Sequence, residues 1–141
     1  MPREKSCGAV VFKKNREVKY LLLYYEAGHW EFAKGLVERN ESEKTTVMRE
    51  LEEETGIVDA QFIDGFREKI SYFYRRGGKT FYKEVVYYLV QVQSSKVKLS
   101  YEHVGYEWLD YQRAMERLSF QNAKDMLKKA HEFLKAKGVV S

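Results

Sequence analysis

The 141-residue chain has very little of what usually stiffens or staples a fold: one cysteine, Cys7, and one proline, Pro2. A lone thiol excludes an internal disulfide and suits a reducing compartment, so the cytoplasm is the expected location. With proline confined to the second residue, glycine must punctuate most of the loops. No apolar run approaches the roughly 20 residues that a membrane-spanning helix requires. The opening stretch, Met-Pro-Arg-Glu-Lys, also lacks the apolar core of a secretory signal. No linker, repeat or low-complexity segment is present, and the length suits one well-buried core, so a single domain over residues 1–141 is expected. The net charge of +4 is modest. It favours anionic ligands such as polyphosphates without establishing nucleic-acid binding.

The pattern of apolar residues predicts a mixed sheet with a helix on each side, an α/β arrangement in layers. Cys7 to Lys13 reads as a strand with an inert buried thiol, and Lys19 to Tyr25 as its neighbour across a turn at Asn15-Arg16. Trp30 to Gly35 reads as a short irregular approach to a helix. Asn40 and Glu43 have the spacing of a capping box ahead of a helix from Ser42 to Thr55, which Gly56 ends. Ala60 to Tyr74 is strand-like with a break at Asp64-Gly65, and Gly77-Gly78 marks a turn. Thr80 to Val92, rich in β-branched and aromatic residues, is predicted as the centre of the sheet. A short strand at Tyr106 to Leu109 precedes a helical segment from Tyr111 to Lys137, whose apolar spacing runs through Met115, Leu118, Met126, Leu127, Ala130 and Leu134.

The first helix carries the chemistry. At about 100° per residue, Glu54 lies near +40° and Glu53 near −60° from Glu50, so three carboxylates share an arc of about 100°. Val47, Met48 and Leu51 form an apolar stripe beside that arc, which places the acids at the edge of the buried face. Like charges at these spacings destabilise a helix by roughly 0.2–0.5 kcal/mol per pair, and partial burial increases the penalty. A hard divalent cation with oxygen ligands removes the conflict. Mg²⁺ fits because it also binds phosphate oxygens, with Mn²⁺ as the substitute. His29 and His103 are poor ligands for such a cation and lack a paired spacing, so phosphate contact or local hydrogen bonding is expected of them.

Gly35, Glu41, Arg49, Glu50, Leu51, Glu53, Glu54, Gly56 and Ile57 match the Nudix box, Gly-x5-Glu-x7-Arg-Glu-U-x-Glu-Glu-x-Gly-U with U a bulky aliphatic residue. Seven fixed identities coincide by chance about once in 10⁸ positions at typical residue frequencies. The chain therefore resembles the Nudix hydrolases. The resemblance implies an α/β/α sandwich and metal-dependent cleavage of a phosphoanhydride by water. It implies that Glu50, Glu53 and Glu54, with the Gly35 carbonyl, bind the metal. Arg49 would orient the carboxylates, Glu41 would close the loop through an ion pair, and Glu53 is the expected general base.

Two further segments resemble the asymmetrical diadenosine tetraphosphate hydrolases within that family. One is His29-Trp30-Glu31-Phe32-Ala33-Lys34-Gly35, which has alanine at 33 where those enzymes usually have proline. The other is Leu99-Ser100-Tyr101-Glu102-His103-Val104-Gly105-Tyr106-Glu107-Trp108-Leu109. The resemblance implies that Glu102 is a further metal ligand or base. In this reading Lys34, Arg75, Lys79, His29 and His103 are candidates for phosphate contact, and Tyr72, Tyr74, Tyr87 and Phe120 candidates for stacking on adenine. The expected activity is hydrolysis of diadenosine tetraphosphate to ATP and AMP. RNA 5′-pyrophosphohydrolase or nucleoside-triphosphate pyrophosphatase activity is the alternative, and a non-catalytic nucleotide sensor is a third reading. A monomer is expected, with small nucleotides as its ligands and no membrane or stable nucleic-acid complex.

Overall fold

In the computed structural model, which describes residues 1–94 and 96–140, β1 (Arg3–Lys14) is the strand on which the sheet is built. It pairs antiparallel with β2 (Val18–Tyr25) and with β4 (Ala33–Leu36), and parallel with β6 (Lys79–Gln91). β2 also takes β3 (Trp30–Glu31) and β7 (His103–Leu109) as antiparallel partners, and β5 (Gln61–Arg76) closes the far side against β6. The predicted central strand, β6, is interior, but β1 holds the middle because β2, β4 and β6 all pair with it. Trp30 to Gly35 is correspondingly not irregular: it is two short strands pinned to β2 and β1.

Alternation along β1 sends successive side chains to opposite faces. Cys7, Ala9 and Val11 face α1 (Glu43–Thr55), where they meet Val47 and Leu51. Val10 and Phe12 face α2 (Tyr111–Arg117) and α3 (Gln121–Ala136), packing with Met126, Leu127, Ala130 and Leu134. The mixed sheet between helices predicted from periodicity is thus present, with one apolar core on each face. The break expected at Asp64-Gly65 is a register shift in the β5–β6 ladder between Phe62 and Arg67. Among the described residues, no helix is long and apolar enough to cross a membrane.

Two helix boundaries differ from expectation. The N-cap of α1 is Ser42, whose hydroxyl accepts from the Thr45 N–H at 3.1 Å. Asn40 instead sits in the left-handed region at φ 66°, turning the chain two residues earlier. Glu43 does not fold back as a capping-box acid because Lys5, Arg67 and Tyr88 all donate to its carboxylate. The predicted C-terminal helix is two helices. Ser119 interrupts it by exchanging hydrogen bonds with Trp30: its Oγ accepts from the Trp30 N–H at 2.8 Å and its N–H donates to the Trp30 carbonyl at 3.2 Å. That bond pair holds Phe120 extended at the start of α3.

The cap assignment has a direct consequence. Ser42→Ala is expected to lower unfolding free energy by about 1 kcal/mol in chemical denaturation. Asn40→Gly, at a backbone angle that glycine accepts freely, should stay within about 0.5 kcal/mol of the parent. The reverse order would return the cap to Asn40.

Candidate active site

Arg49 organises the edge of α1. Its Nε and Nη2 donate to the two oxygens of Glu41 at 2.6 and 3.0 Å, and Nη2 also donates to the Leu36 carbonyl at 2.9 Å. Nη1 donates to Glu50 at 2.7 Å and to Glu53 at 3.2 Å. The guanidinium and the Glu38 N–H together hold the Glu41 carboxyl down to about pKa 2. One planar cation therefore ties the loop after β4 to the helix and aims two of the helix carboxylates.

The three helix acids occupy different environments. Glu53 is open to water, with 59% of its side chain exposed. Glu50 is half-buried over Gly35, where any Cβ would overlap its carboxyl group, so glycine lets that carboxyl rest against β4 without being displaced. Burial raises the Glu50 pKa, and Arg49 opposes that rise. Glu54 is only 4% exposed, and its Oε2 has no hydrogen-bond partner among the described residues. Burial, followed by the charges of Glu50 and Glu102, pushes its pKa up to about 9, and the neighbouring Lys34 main chain and Tyr25 offset only part of that rise. Glu102 comes within electrostatic reach because the chain before β7 is fastened to the end of α1: the Lys98 and Ser100 N–H groups donate to the Thr55 and Glu54 carbonyls.

His103 lies behind this group and does not reach the cleft. Its Nδ1 shares a hydrogen bond with the Ser100 hydroxyl at 2.9 Å, and Nε2 is 3.5 Å from Glu54. Burial lowers the imidazole pKa while raising that of Glu54, so the two meet as neutral groups and not as an ion pair. Among the described residues, no three acidic, histidine or cysteine side chains are gathered closely enough to enclose an ion as they stand. The chemistry of the donors nevertheless fits a hard divalent cation: all are oxygens, and one is a buried carboxyl oxygen with no partner.

On the other face of the sheet, a cleft of about 530 Å³ is lined by His29, Glu31, Lys34, Ile70, Tyr72, Tyr87 and Phe120 to Ala123. Five predicted ligand contacts, His29, Lys34, Tyr72, Tyr87 and Phe120, are brought together there. Tyr87 is a buried floor residue set edge-on to Phe32, and Phe120 stands half-exposed at the mouth. The His29 ring stacks on Tyr25 at 4.7 Å and leans on Phe120 at 5.2 Å. Tyr74 and Lys79 do not line the cleft. The Tyr74 hydroxyl donates to Glu4, and Lys79 lies opposite Arg76 at the far end of the β5–β6 hairpin.

Sequence reasoning passed over two residues. Glu31 is a buried acid that accepts from Lys34 Nζ at 2.6 Å and lies 3.2 Å from His29 Nε2, so it anchors both side chains at the cleft wall. Gly8 lies directly under the loop, where a Cβ would come within 2.7 Å of the Lys34 Cβ. Neither has a periodic signature. Only an acid between two aromatic residues hinted at the first.

The buried Glu54 generates a pH-dependent stability. In metal-free protein it stays protonated to about pH 9, whereas its ordinary value is 4.5. Across that window the folded state binds the extra proton, so stability falls as pH rises. Glu54→Gln removes this contribution. The melting temperature of the variant relative to the parent, measured in chelator, should therefore rise steadily from pH 5 to pH 8. A constant difference would contradict an isolated, protonated Glu54.

Comparison with known proteins agrees with this architecture. Residues 2–131 match the NUDIX domain model. The chain is 34% identical over 143 residues to the asymmetrical bis(5′-nucleosyl)-tetraphosphatase of Rattus norvegicus, covering 92% of this chain and 95% of that protein. It is 35% identical to the corresponding enzyme of Sus scrofa over the same shares of both chains. Among solved structures, the binary complex of the C. elegans Ap4A hydrolase superposes with a TM-score of 0.83 at 28% identity, covering 94% of this chain and 98% of that one. The carboxylate helix, the sheet that carries it and these likenesses together mean that the chain belongs to the Nudix hydrolase family.

Proposed function

We propose that the protein hydrolyses diadenosine tetraphosphate asymmetrically to ATP and AMP, with Mg²⁺ as its metal and Mn²⁺ as a substitute. Nudix hydrolases in general need a divalent cation, and the likeness to the tetraphosphatases covers nearly the whole chain. The observation that carries the reading is Lys34. It stands between Ala33, which packs against the α1 side of the sheet, and Gly35, over which the Glu50 carboxyl lies, and its own side chain lines the cleft, so one residue joins the acidic edge of α1 to a nucleoside-sized cavity.

In this reading one adenosine enters the cleft, with its base against Tyr72 and Phe120 and over the edge of Tyr87. Lys34 exchanges Glu31 for a phosphate oxygen, and His29 remains oriented by Glu31. Gly35, Glu50, Glu53, Glu54 and Glu102 would hold the cation, with Gly35 contributing its carbonyl. When bound, the cation neutralises polyphosphate oxygens and increases the acidity of the attacking water. Glu53, more exposed than Glu50 or Glu54, accepts the proton of that water. Arg49 keeps Glu50 and Glu53 aimed and touches no substrate. The protein acts as a monomer on small nucleotides in the cytoplasm, through a single domain over residues 1–141.

Product analysis tests the assignment. Equal amounts of ATP and AMP are expected from diadenosine tetraphosphate, whereas a symmetrical cut yields two ADP and would refute it. Glu53→Gln should lower kcat by roughly 10²–10⁴-fold at little changed KM, as for loss of a general base. Phe120→Ala should raise KM about tenfold at nearly constant kcat if the ring supports the base.

A further inference from the structure

Glu31 is an acid where a site for polyphosphate has least use for one. It stands on the two-residue strand β3, opposite Leu23 of β2, and lines the nucleoside cleft beside His29, Lys34 and Phe120. Only 10% of its side chain is exposed. Both oxygens are engaged: Oε1 accepts from Lys34 Nζ at 2.6 Å, and Oε2 lies 3.2 Å from His29 Nε2.

Its place along the site matters as much as its partners. Burial raises the pKa of the Tyr25 and Tyr87 hydroxyls, and Glu31 and Glu54 both add to that rise at each ring. The two acids thus approach the same pair of tyrosines, Glu31 from the cleft and Glu54 from α1. A nucleotide whose base rests in the cleft and whose phosphates reach the acidic edge must pass the Glu31 carboxylate.

Orienting Lys34 does not by itself require an acid, since a neutral amide or a carbonyl can accept from an ammonium. An acid at 2.6 Å does more: it takes the place that a phosphate oxygen would take, because carboxylate and phosphate oxygens both bind the ammonium as charged acceptors. A lysine is a point charge on a flexible stem, so it can change partner by turning its own side chain while Glu31 stays fixed. Once Lys34 turns to phosphate, Glu31 loses its closer counter-charge in a site that excludes most water. That loss opposes the bound state.

We propose that Glu31 is a built-in competitor for the phosphates of the nucleotide: it holds Lys34 in the free protein, yields it to the polyphosphate and reclaims it as product departs. It thereby weakens binding and speeds release. Glu31 is a positioning residue, acting through Lys34 and making no bond to the nucleotide. The exchange is ionic, with no covalent bond formed or broken. This role depends on the cleft being the nucleotide site, but not on diadenosine tetraphosphate being the substrate.

The test is binding of the α,β-methylene analogue of ATP, with Mg²⁺ present, to the parent, Glu31→Gln and Glu31→Ala. Calorimetry should show both variants binding about tenfold more tightly than the parent, as expected when one like charge is removed at close range in a partly wet cleft. Stopped-flow displacement should show the analogue leaving more slowly by a similar factor. In turnover, KM for diadenosine tetraphosphate and the inhibition constant of ATP should fall together. A purely structural role predicts the opposite sign: Lys34 would lose its orientation and the analogue would bind more weakly, most of all to Glu31→Ala. Weaker or unchanged binding in a variant that unfolds at the parent's temperature overturns the inference, and either variant alone suffices if the other does not fold. Absence of binding to the parent refutes the cleft reading and the competitor with it. Tighter binding by the variants beside an inert diadenosine tetraphosphate upholds the competitor and refutes only the dinucleotide assignment.

Discussion

The carboxylates of Glu38, Glu41, Glu50 and Glu53 and the Leu36 carbonyl converge on Arg49, and the geometry of the reactive edge follows from that convergence. Helix α1 presents acids at Glu50, Glu53 and Glu54, spaced so that each repels the others. A cation one residue before Glu50 offsets part of that repulsion. Because its guanidinium is planar with several donors, it also holds Glu41 bidentately and the Leu36 carbonyl at the same time. The loop that leaves β4 is thereby fastened to the helix. Glu50 can then lie flat over Gly35, β4 stays in register with β1, and Lys34 is left pointing into the cleft. A lysine at position 49 would keep the charge and lose the fork, so the loop and the carboxylates would no longer be oriented by a single group.

Glu54 sets the opposite constraint. Its side chain is buried on the sheet side of the same helix, and one of its oxygens has no partner among the described residues. A buried carboxylate in that state is costly, and protonation is the cheaper solution when no cation is present. The fold accepts this cost where β4, the end of α1 and the approach to β7 meet. The last two of these segments are fastened to each other by backbone bonds from Lys98 and Ser100, and β4 is held by its pairing with β1. A rigid frame around an unsatisfied acid is the arrangement that prepares a cation site in advance, because the ligand oxygen does not have to be desolvated when the ion arrives.

Much of this could be read from residue order, and the rest depends on tertiary partners. The phase of Glu50, Glu53 and Glu54 against Val47 and Leu51 follows from helical geometry alone, and so does the alternation along β1 that separates the two cores. The left-handed Gly56 that ends α1 at φ 73° was visible as a glycine just past the periodic run. The cap was not. Asn40 and Glu43 had the right spacing, but Glu43 is claimed by Lys5, Arg67 and Tyr88, which lie far away in sequence. The division of the last helix was equally hidden, since Ser119 breaks it by bonding to Trp30, 89 residues earlier. Most of the ligand candidates converge on one cleft, whereas Tyr74 and Lys79 depart from it because the hairpin reaches farther than strand propensity can predict. Glu31 escaped notice because nothing in a local pattern marks an acid that will be enclosed between a lysine and a histidine.

Charge is divided in space as well as along the chain. The acids of α1 lie on one face of the sheet and the cations of the hairpin adjoin the other, with β4 between them. A polyphosphate that enters the cleft is attracted by the hairpin and by Lys34 but repelled by Glu50, Glu53 and Glu102. A divalent cation is attracted by those acids and does nothing for the nucleoside. Each ligand therefore removes the repulsion that opposes the other, and by linkage each must raise the affinity of the other by the same factor. The hairpin supplies long-range attraction, which falls with salt, while the acidic edge supplies a short-range condition that only a hard cation relieves. Binding of the anion is thus coupled to the presence of the metal by the arrangement of charges alone, and no movement of the fold is needed to link them.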